Sequence, residues 1–302
     1  MRLIRWTVAR LGPMDPFPLP GAAPAVVVAP APGPGPHSWA GAPSAALDDD
    51  GGLVIAYRLR IGGQDVARTL IAHAPDGGRF TTVATLDRER FGAFSMERPA
   101  LVRTGDGRWR LYVSCASPAW PESKHWWIEV LEADTPAGLA TAGSRVVFPG
   151  DDTTAVKDPV VRRTDDGWEA WICCHPLDVR DEEDRMTTAY ATSADGLVWD
   201  WHGTVLRPRP GTWDARGTRV TAVLPDGRAA YDGRASKEEN FSERTGLAGP
   251  GGDGVLTQLD AEPVGVRYLD VLPLPDGGYR LTYEAPLPDG SHELRTELHP
   301  PD

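Results

Sequence analysis

Short runs in which apolar and polar residues alternate recur along the whole chain, and stretches with helical periodicity are hard to find. Residues 109–114 (WRLYVS) form one such run. Alternation with a period of two is typical of a β-strand that buries one face. Several runs are joined by Asp-Gly, a strong local signal for a tight turn between two strands. The pattern therefore predicts an all-β protein.

The Asp-Gly turns recur at nearly regular intervals. Their glycines are 56, 60, 60 and 50 residues apart, at Gly51, Gly107, Gly167, Gly227 and Gly277. A fixed period of this size is typical of a repeat architecture, and about sixty residues with four short strands make one propeller blade. We therefore predict that residues 1–302 form one domain, a five-bladed β-propeller. The predicted blades are about 38–86, 96–147, 156–206, 213–260 and 264–302.

The last predicted blade contains only three strand-like runs. We predict that an N-terminal strand over residues 3–8 supplies its missing outer edge and closes the ring, because an unpaired edge favours aggregation. Residues 13–36 are rich in Pro, Gly and Ala. This composition predicts a connection across the surface without a folded element.

The charge balance narrows the possible partners. The chain has 43 acidic and 31 basic residues and a net charge of −12, which argues against a nucleic-acid partner. Its three cysteines predict no disulfide framework, and no apolar run is long enough to span a membrane. We expect a cytoplasmic protein. No residue spacing predicts a metal site or a phosphate-binding glycine loop, so no cofactor is expected.

Candidate site residues follow from the repeat. Pro43, Pro99 and Pro159 each lie eight residues before a turn glycine, at the predicted start of the first strand of a blade. Residues at this position surround the central funnel of a propeller. The corresponding charged and aromatic candidates are Glu97, Arg98, Lys157, Asp158, Arg267 and Tyr268. Two funnel carboxylates could act as acid and base on a sugar, or the charged pairs could form salt bridges between blades.

Further candidates lie in the fourth predicted blade and among the tryptophans. The polar stretch 231–248 is either part of the funnel rim or a solvated loop. The tryptophans could stack on sugar faces or pack between blades. These additional candidates are Glu239 as an acid and Trp39, Trp127, Asp214, Arg216, Asp232 and Arg234 as substrate-binding residues.

The motifs together resemble a known superfamily. Lys157-Asp158-Pro159, Glu97-Arg98-Pro99 and the turn 193–199 (SADGLVW) are similar to motifs of five-bladed propeller glycosidases. These comprise glycoside hydrolase families 43, 32 and 68 and the family 130 mannoside phosphorylases. The resemblance implies an enzyme that cleaves or transfers a glycosidic bond of a small or oligomeric sugar substrate. It further implies that Asp158 orients the substrate. Our first hypothesis is such an enzyme with Glu97 or Glu239 as the proton donor.

Two positions depart from the pattern of these families. The first-blade Asp-Pro, which supplies their general base, is Ala42-Pro43 here. The fourth-blade position of the acid falls near Gly217. A second hypothesis is therefore a divergent propeller that binds or transforms a sugar-like or anionic metabolite without glycosidase activity.

Overall fold

The computed structural model describes residues 16–62 and 66–301, which contain twenty β-strands and three short 3-10 helices. The helices are Arg88–Phe91, Ala137–Ala140 and Gly252–Gly254. The prediction of an all-β protein is therefore confirmed. None of the helices in these ranges is long and apolar enough to cross a membrane.

The strands form five antiparallel groups, numbered here along the chain. Group 1 contains β2 Trp39–Leu47, β3 Leu53–Ile61, β4 Val66–Ala74 and β5 Thr81–Asp87. Group 2 contains β6 Ala100–Arg103, β7 Trp109–Ala116, β8 Trp126–Ala133 and β9 Ser144–Phe148. Group 3 contains β10 Thr154–Thr164, β11 Gly167–Pro176, β12 Thr187–Ser193 and β13 Asp200–Leu206. Group 4 contains β14 Gly217–Val223, β15 Ala229–Arg234, β16 Arg244–Pro250 and β17 Leu256–Gln258. Group 5 contains β18 Arg267–Pro273, β19 Tyr279–Pro286, β20 His292–His299 and β1 Val26–Ala29.

Groups 2, 3 and 4 are separate four-stranded sheets, whereas groups 1 and 5 share one eight-stranded sheet. A parallel bridge between Trp39 of β2 and His292 of β20 joins these two groups. The number of blades and the closure of a ring stay predictions at this point.

The outer strand of group 5 corrects one prediction. Val26–Ala29 pairs antiparallel with β20, although it lies in the segment predicted to contain no folded element. Three consecutive valines supply β-branched side chains, and Pro24 and Pro30 on either side are compatible with an edge strand. The predicted strand over residues 3–8 lies outside the described residues.

Glycines close the predicted turns between the first and second strands. Gly51, Gly107, Gly167, Gly227 and Gly277 have φ angles of 82°, 85°, 139°, 86° and 95°. A side chain would be strained at these angles, which explains why glycine recurs at this point of each repeat.

The hydrophobic cores lie between successive groups. Met96 and Leu111 of the second repeat pack with Ile71 of β4, and Val130 packs with Ile172 across the next boundary. Equivalent clusters lie between groups 3 and 4 and between groups 4 and 5, and a further one joins Ile55 of β3 to Leu294 of β20. Each group therefore buries its faces against the neighbouring groups.

The first strands of the groups also contact one another in sequence. β2 contacts β6, β6 contacts β10, β10 contacts β14, β14 contacts β18, and β18 contacts β2. This arrangement brings the starts of these strands together at one place.

Candidate functional site

A cavity of about 300 Å³ lies where residues of all five groups meet. We call it the cationic cavity, because its lining contains eight basic side chains and five acidic ones. The basic residues are Arg58, Arg60, Lys124, Lys157, Arg219, Arg234, Lys237 and Arg267. The acidic residues are Glu97, Asp181, Glu183, Asp184 and Glu243. Trp120, Trp126, His175, Met186, Asn240, Phe241 and Tyr268 complete the lining.

Glu97 is almost fully buried and is held by two arginines of β3. Its Oε1 accepts a hydrogen bond from Arg60 Nη2 at 2.7 Å, and its Oε2 accepts one from Arg58 Nη1. Burial alone would raise the pKa of Glu97, but the guanidinium groups of Arg60 and Arg58 hold it well below its usual value. The carboxylate is therefore ionised at neutral pH.

Glu243 and Glu284 are paired in the same way. Glu243 Oε1 accepts from Arg234 Nη1 at 2.9 Å, and Glu284 Oε2 accepts from Arg58 Nη2 at 3.0 Å. Burial opposes ionisation of Glu243, but Arg267, Arg219 and Arg234 lower its pKa to about 2. The pKa of Glu284 is also lowered, against burial, chiefly by Arg267 and Arg58.

Asp158 lies behind the lining, fully buried. Its Oδ2 accepts from Arg219 Nη1 at 2.9 Å, and its Oδ1 accepts from the backbone N–H of Arg98 at 3.0 Å. Arg219 Nη2 also donates to Asp232, another fully buried carboxylate, at 2.7 Å. Burial raises the pKa of Asp232, although Arg219 opposes this shift. The interpretation of Lys157-Asp158 as part of an ion-pair network between groups thus agrees with the contacts.

Local backbone geometry explains which residues reach the cavity. Ala42, Asp158 and Tyr268 occupy the same repeat position and have φ angles of 52°, 50° and 52°. This left-handed conformation interrupts the strand alternation, and the pairing registers of β10 and β18 with their second strands shift there. As a result, Arg267 and the adjacent Tyr268 both line the cavity, and Lys157 lines it while Asp158 does not.

Arg98 extends away from the cavity and joins the first strands of four other groups. Its Nε donates to the carbonyl of Pro43 at 3.0 Å, and its Nη2 donates to the carbonyl of Thr221 at 2.8 Å. Nη2 also lies 3.3 Å from Asp270 Oδ1, while the backbone N–H binds Asp158. One fully buried side chain and its amide therefore contact β2, β10, β14 and β18.

The pH dependence of folding stability tests the surroundings proposed for Asp270, next to Arg98. Burial raises the pKa of Asp270 to about 6, which Arg98 only partly opposes. The folded chain therefore takes up this proton before the unfolded chain does, and Asp270 makes folding more favourable as the pH falls from 7 to 4.5. The gain over this range is about 2 kcal/mol. Urea unfolding of wild type and Asp270→Asn should show a stability difference that changes by this amount over that range.

Parallel pH profiles for the two proteins would contradict this assignment. The effect of Glu243 on the pH dependence of stability has the opposite sign, because the pKa of Glu243 is lowered in the folded chain. Its contribution is present above pH 4.5 and is lost as the pH falls towards 2. The comparison is therefore made above pH 4.5.

The structure brings together some of the predicted site residues and separates others. Glu97, Lys157, Arg234, Arg267 and Tyr268 line the cationic cavity. A second set lies buried behind the lining and contacts it, namely Arg98, Asp158, Asp232 and Trp39. A third set lies outside the lining, namely Trp127, Asp214, Arg216 and Glu239.

The residues of the third set have other partners. Glu239 Oε2 accepts from the backbone N–H of Ala235 and lies 3.8 Å from Arg244 Nη2. Trp127 donates to Glu129, Asp214 accepts from Tyr231, and Arg216 pairs with Asp184 at 2.6 Å. Of these four residues, therefore, only Arg216 forms an ion pair with a residue of the cavity lining.

Several lining residues were not among the predicted candidates. Arg58 and Arg60 end an apolar strand two residues apart, so they share one face, and this pattern could have identified them. Arg219 lies at the repeat position of the three prolines. His175 is neutral because burial, followed by Lys157, lowers its pKa, and its Nδ1 donates to the carbonyl of Glu183 at 2.7 Å.

The described residues contain no group of three or more His, Cys, Asp or Glu side chains that could hold a metal ion. The lining of the cationic cavity is rich in guanidinium, ammonium and indole groups. These groups bind anions and stack on apolar ring faces.

Comparison with known proteins identifies the fold. No protein-family model matches the sequence, and no curated protein sequence matches it. A thermostable family-43 glycoside hydrolase superposes with a TM-score of 0.64 at 12% identity, covering 86% of this chain and 88% of its own. The β-1,2-mannobiose phosphorylase of Listeria innocua gives 0.61 at 12% identity, covering 86% and 89%. The sucrose-6-phosphate hydrolase of Lactobacillus gasseri gives 0.62 at 12% identity, covering 88% of this chain and 60% of its own.

At these identities the likeness shows the fold alone. The predicted resemblance to propeller glycosidases and glycoside phosphorylases is confirmed at that level.

Proposed function

We propose, from the fold that this chain shares with family-43 glycoside hydrolases and glycoside phosphorylases, that it binds an anionic sugar-like metabolite. The ligand would be a sugar phosphate or a sugar acid held in the cationic cavity. The observation that carries this proposal is the state of the buried acids. Glu97 and Glu243 are both paired with guanidinium groups and ionised, while basic side chains exceed acidic ones in the lining.

Two lysine side chains of the cationic cavity can bind such a ligand through their ammonium groups. Lys124 and Lys237 line the cavity, and no carboxylate of the described residues lies within ion-pair distance of either. Lys124 Nζ lies 4.0 Å from the ring centroid of Trp120, and Lys157 Nζ lies 4.8 Å from that of Trp126. The cation–π contact with Trp120 holds Lys124 in place while its charge stays available. The same tryptophans could stack on a sugar ring.

The cavity would be the central funnel of a five-bladed ring in which each strand group is one blade. The cyclic order of contacts between the first strands supports this, as do the five hydrophobic clusters between successive groups. Val26–Ala29 would be the strand that completes the fifth blade.

Titration calorimetry with four ligands tests the proposal. Glucose 6-phosphate or glucuronate should bind at least about 10-fold more tightly than glucose, because only the anions gain charge-assisted hydrogen bonds. Their affinity should fall as salt is added, because the lysines at the mouth are exposed to screening. Inorganic phosphate serves as the control for the anion without the sugar. Equal affinity for glucose and the two anions would contradict the proposal.

Cleavage of a glycosidic bond is the second candidate function. It is favoured because Glu97 lines the cavity and Asp158 binds the amide of the next residue, so the two predicted acids lie close together. Glu97 would have to gain a proton before it could act as a general acid, since such groups need a raised pKa. Glu239 has no part in this candidate, because it lies outside the lining.

Aryl glycosides and oligosaccharides, with and without phosphate, separate the two candidates. Turnover that disappears in Glu97→Gln and Asp158→Asn would support cleavage. Anion binding without turnover would support the first proposal, and wild-type turnover in both variants would remove these residues from the chemistry.

A further inference from the structure

A second and larger cavity lies between groups 2 and 3, on the other side of the loop that joins β11 to β12. Its volume is about 620 Å³, within the range of about 300–1,000 Å³ of small-molecule sites. We call it the aromatic cleft, because Phe148, Trp199 and Trp201 line it. It shares no lining residue with the cationic cavity.

The aromatic side chains form a platform that is open to solvent. Trp201 is 48% exposed, which is high for so large an apolar ring. Its ring centroid lies 6.2 Å from that of Phe148, and Phe148 lies 5.1 Å from Trp199. The two rings behind Trp201 already contact each other, so the exposed indole stays available to a planar or ring-shaped ligand.

The charges of the aromatic cleft are balanced, unlike those of the cationic cavity. Asp151 and Asp178 oppose Arg185 and Arg207 in the lining. Asp178 and Arg207 have no ion-pair partner within the ranges that the structure describes, so their hydrogen-bonding groups are free for a ligand. Donors and acceptors of both signs around an exposed aromatic ring match a molecule with an apolar ring face and a hydroxyl edge.

We propose that the aromatic cleft is a separate binding site for a neutral oligosaccharide, with one sugar ring stacked on Trp201. Hydroxyl groups of the sugar would bind Asp178 and Arg207 at the sides of the platform. Asp178 and Arg185 line the cleft, whereas Asp181 and Asp184 of the same loop line the cationic cavity. Because the two linings have no residue in common, the binding proposed for the cleft does not rest on the function proposed for the cavity.

Tryptophan fluorescence and calorimetry with cellohexaose, xylohexaose and mannohexaose test this site. At least one of these sugars should bind the wild-type chain, and Trp201→Ala should weaken that binding at least 10-fold. Trp127→Ala is the matched control, because Trp127 is a partly exposed tryptophan that lines neither cavity. It should leave the affinity unchanged, as should saturating glucose 6-phosphate. Near-ultraviolet circular dichroism verifies that each variant is folded.

Three results would overturn the proposal. The first is that none of the three hexaoses binds, and the second is that Trp201→Ala binds them as the wild type does. The third is self-association that Trp201→Ala abolishes in sedimentation without any sugar binding, which would make the cleft a protein interface.

Discussion

The Arg98→Met variant should lose about 3–5 kcal/mol of unfolding free energy, because it leaves a buried ion-pair partner and two buried carbonyls without their donor. Asp270 would lose its guanidinium, and the carbonyls of Pro43 and Thr221 would lose hydrogen bonds of 3.0 and 2.8 Å. Methionine fills a similar volume, so the loss reports mainly the polar contacts. Urea denaturation measures the change, and thermal unfolding should show a midpoint lower by roughly 5–8 °C.

Arg68→Met is the matched control for this prediction. Arg68 pairs with Asp87, but both side chains are about half exposed. An exposed pair contributes about 1 kcal/mol or less. If the two variants lost similar amounts of unfolding free energy, the Arg98 side chain would not be what holds the first strands together.

The double variant Lys124→Ala/Lys237→Ala should bind a sugar phosphate about 100-fold more weakly than the wild type. Two charge-assisted hydrogen bonds of about 1.5 kcal/mol each account for this loss. Calorimetry with glucose 6-phosphate at about 0.1 M salt measures it. The stability should change little, since neither lysine has an ion pair within the described part of the chain.

Arg79→Ala/Arg145→Ala removes the same total charge at exposed positions outside the cationic cavity. This control should change the affinity less than about threefold, because exposed charges are screened beyond about 10 Å at 0.1 M salt. Equal losses in the two double variants would mean that binding follows the net charge of the protein and not the cavity.

The turns and the strand order could be predicted from the sequence because they are local properties. The Asp-Gly pairs at Gly107 and Gly227 favour a tight turn with a left-handed glycine, and the spacing of such pairs gives the repeat. The strand Val26–Ala29 was missed for the opposite reason. Its partner β20 lies near the other end of the chain, and only that pairing distinguishes it from a surface connection.

Only part of the candidate site could be predicted from the sequence. The sequence identified Glu97 and Lys157 through the repeat, but it could not show that Arg58 and Arg60, from another group, hold Glu97 ionised. Which side chain enters a cavity depends on the backbone angles at Asp158 and Tyr268, and neither residue type reveals them. Charge pairing and side-chain direction are properties of the assembled fold, and they are what separate an acid catalyst from one half of a salt bridge.

The pairing of Val26–Ala29 with β20, and of Trp39 with His292, has a consequence for synthesis of the chain. These contacts join residues separated by more than 250 positions, so they add strongly to contact order. A nascent chain that still lacks β20 leaves the edge of β2 and the valines of β1 without partners. The final docking step therefore waits until β20 has left the ribosome, and until then the emerging protein is most exposed to aggregation.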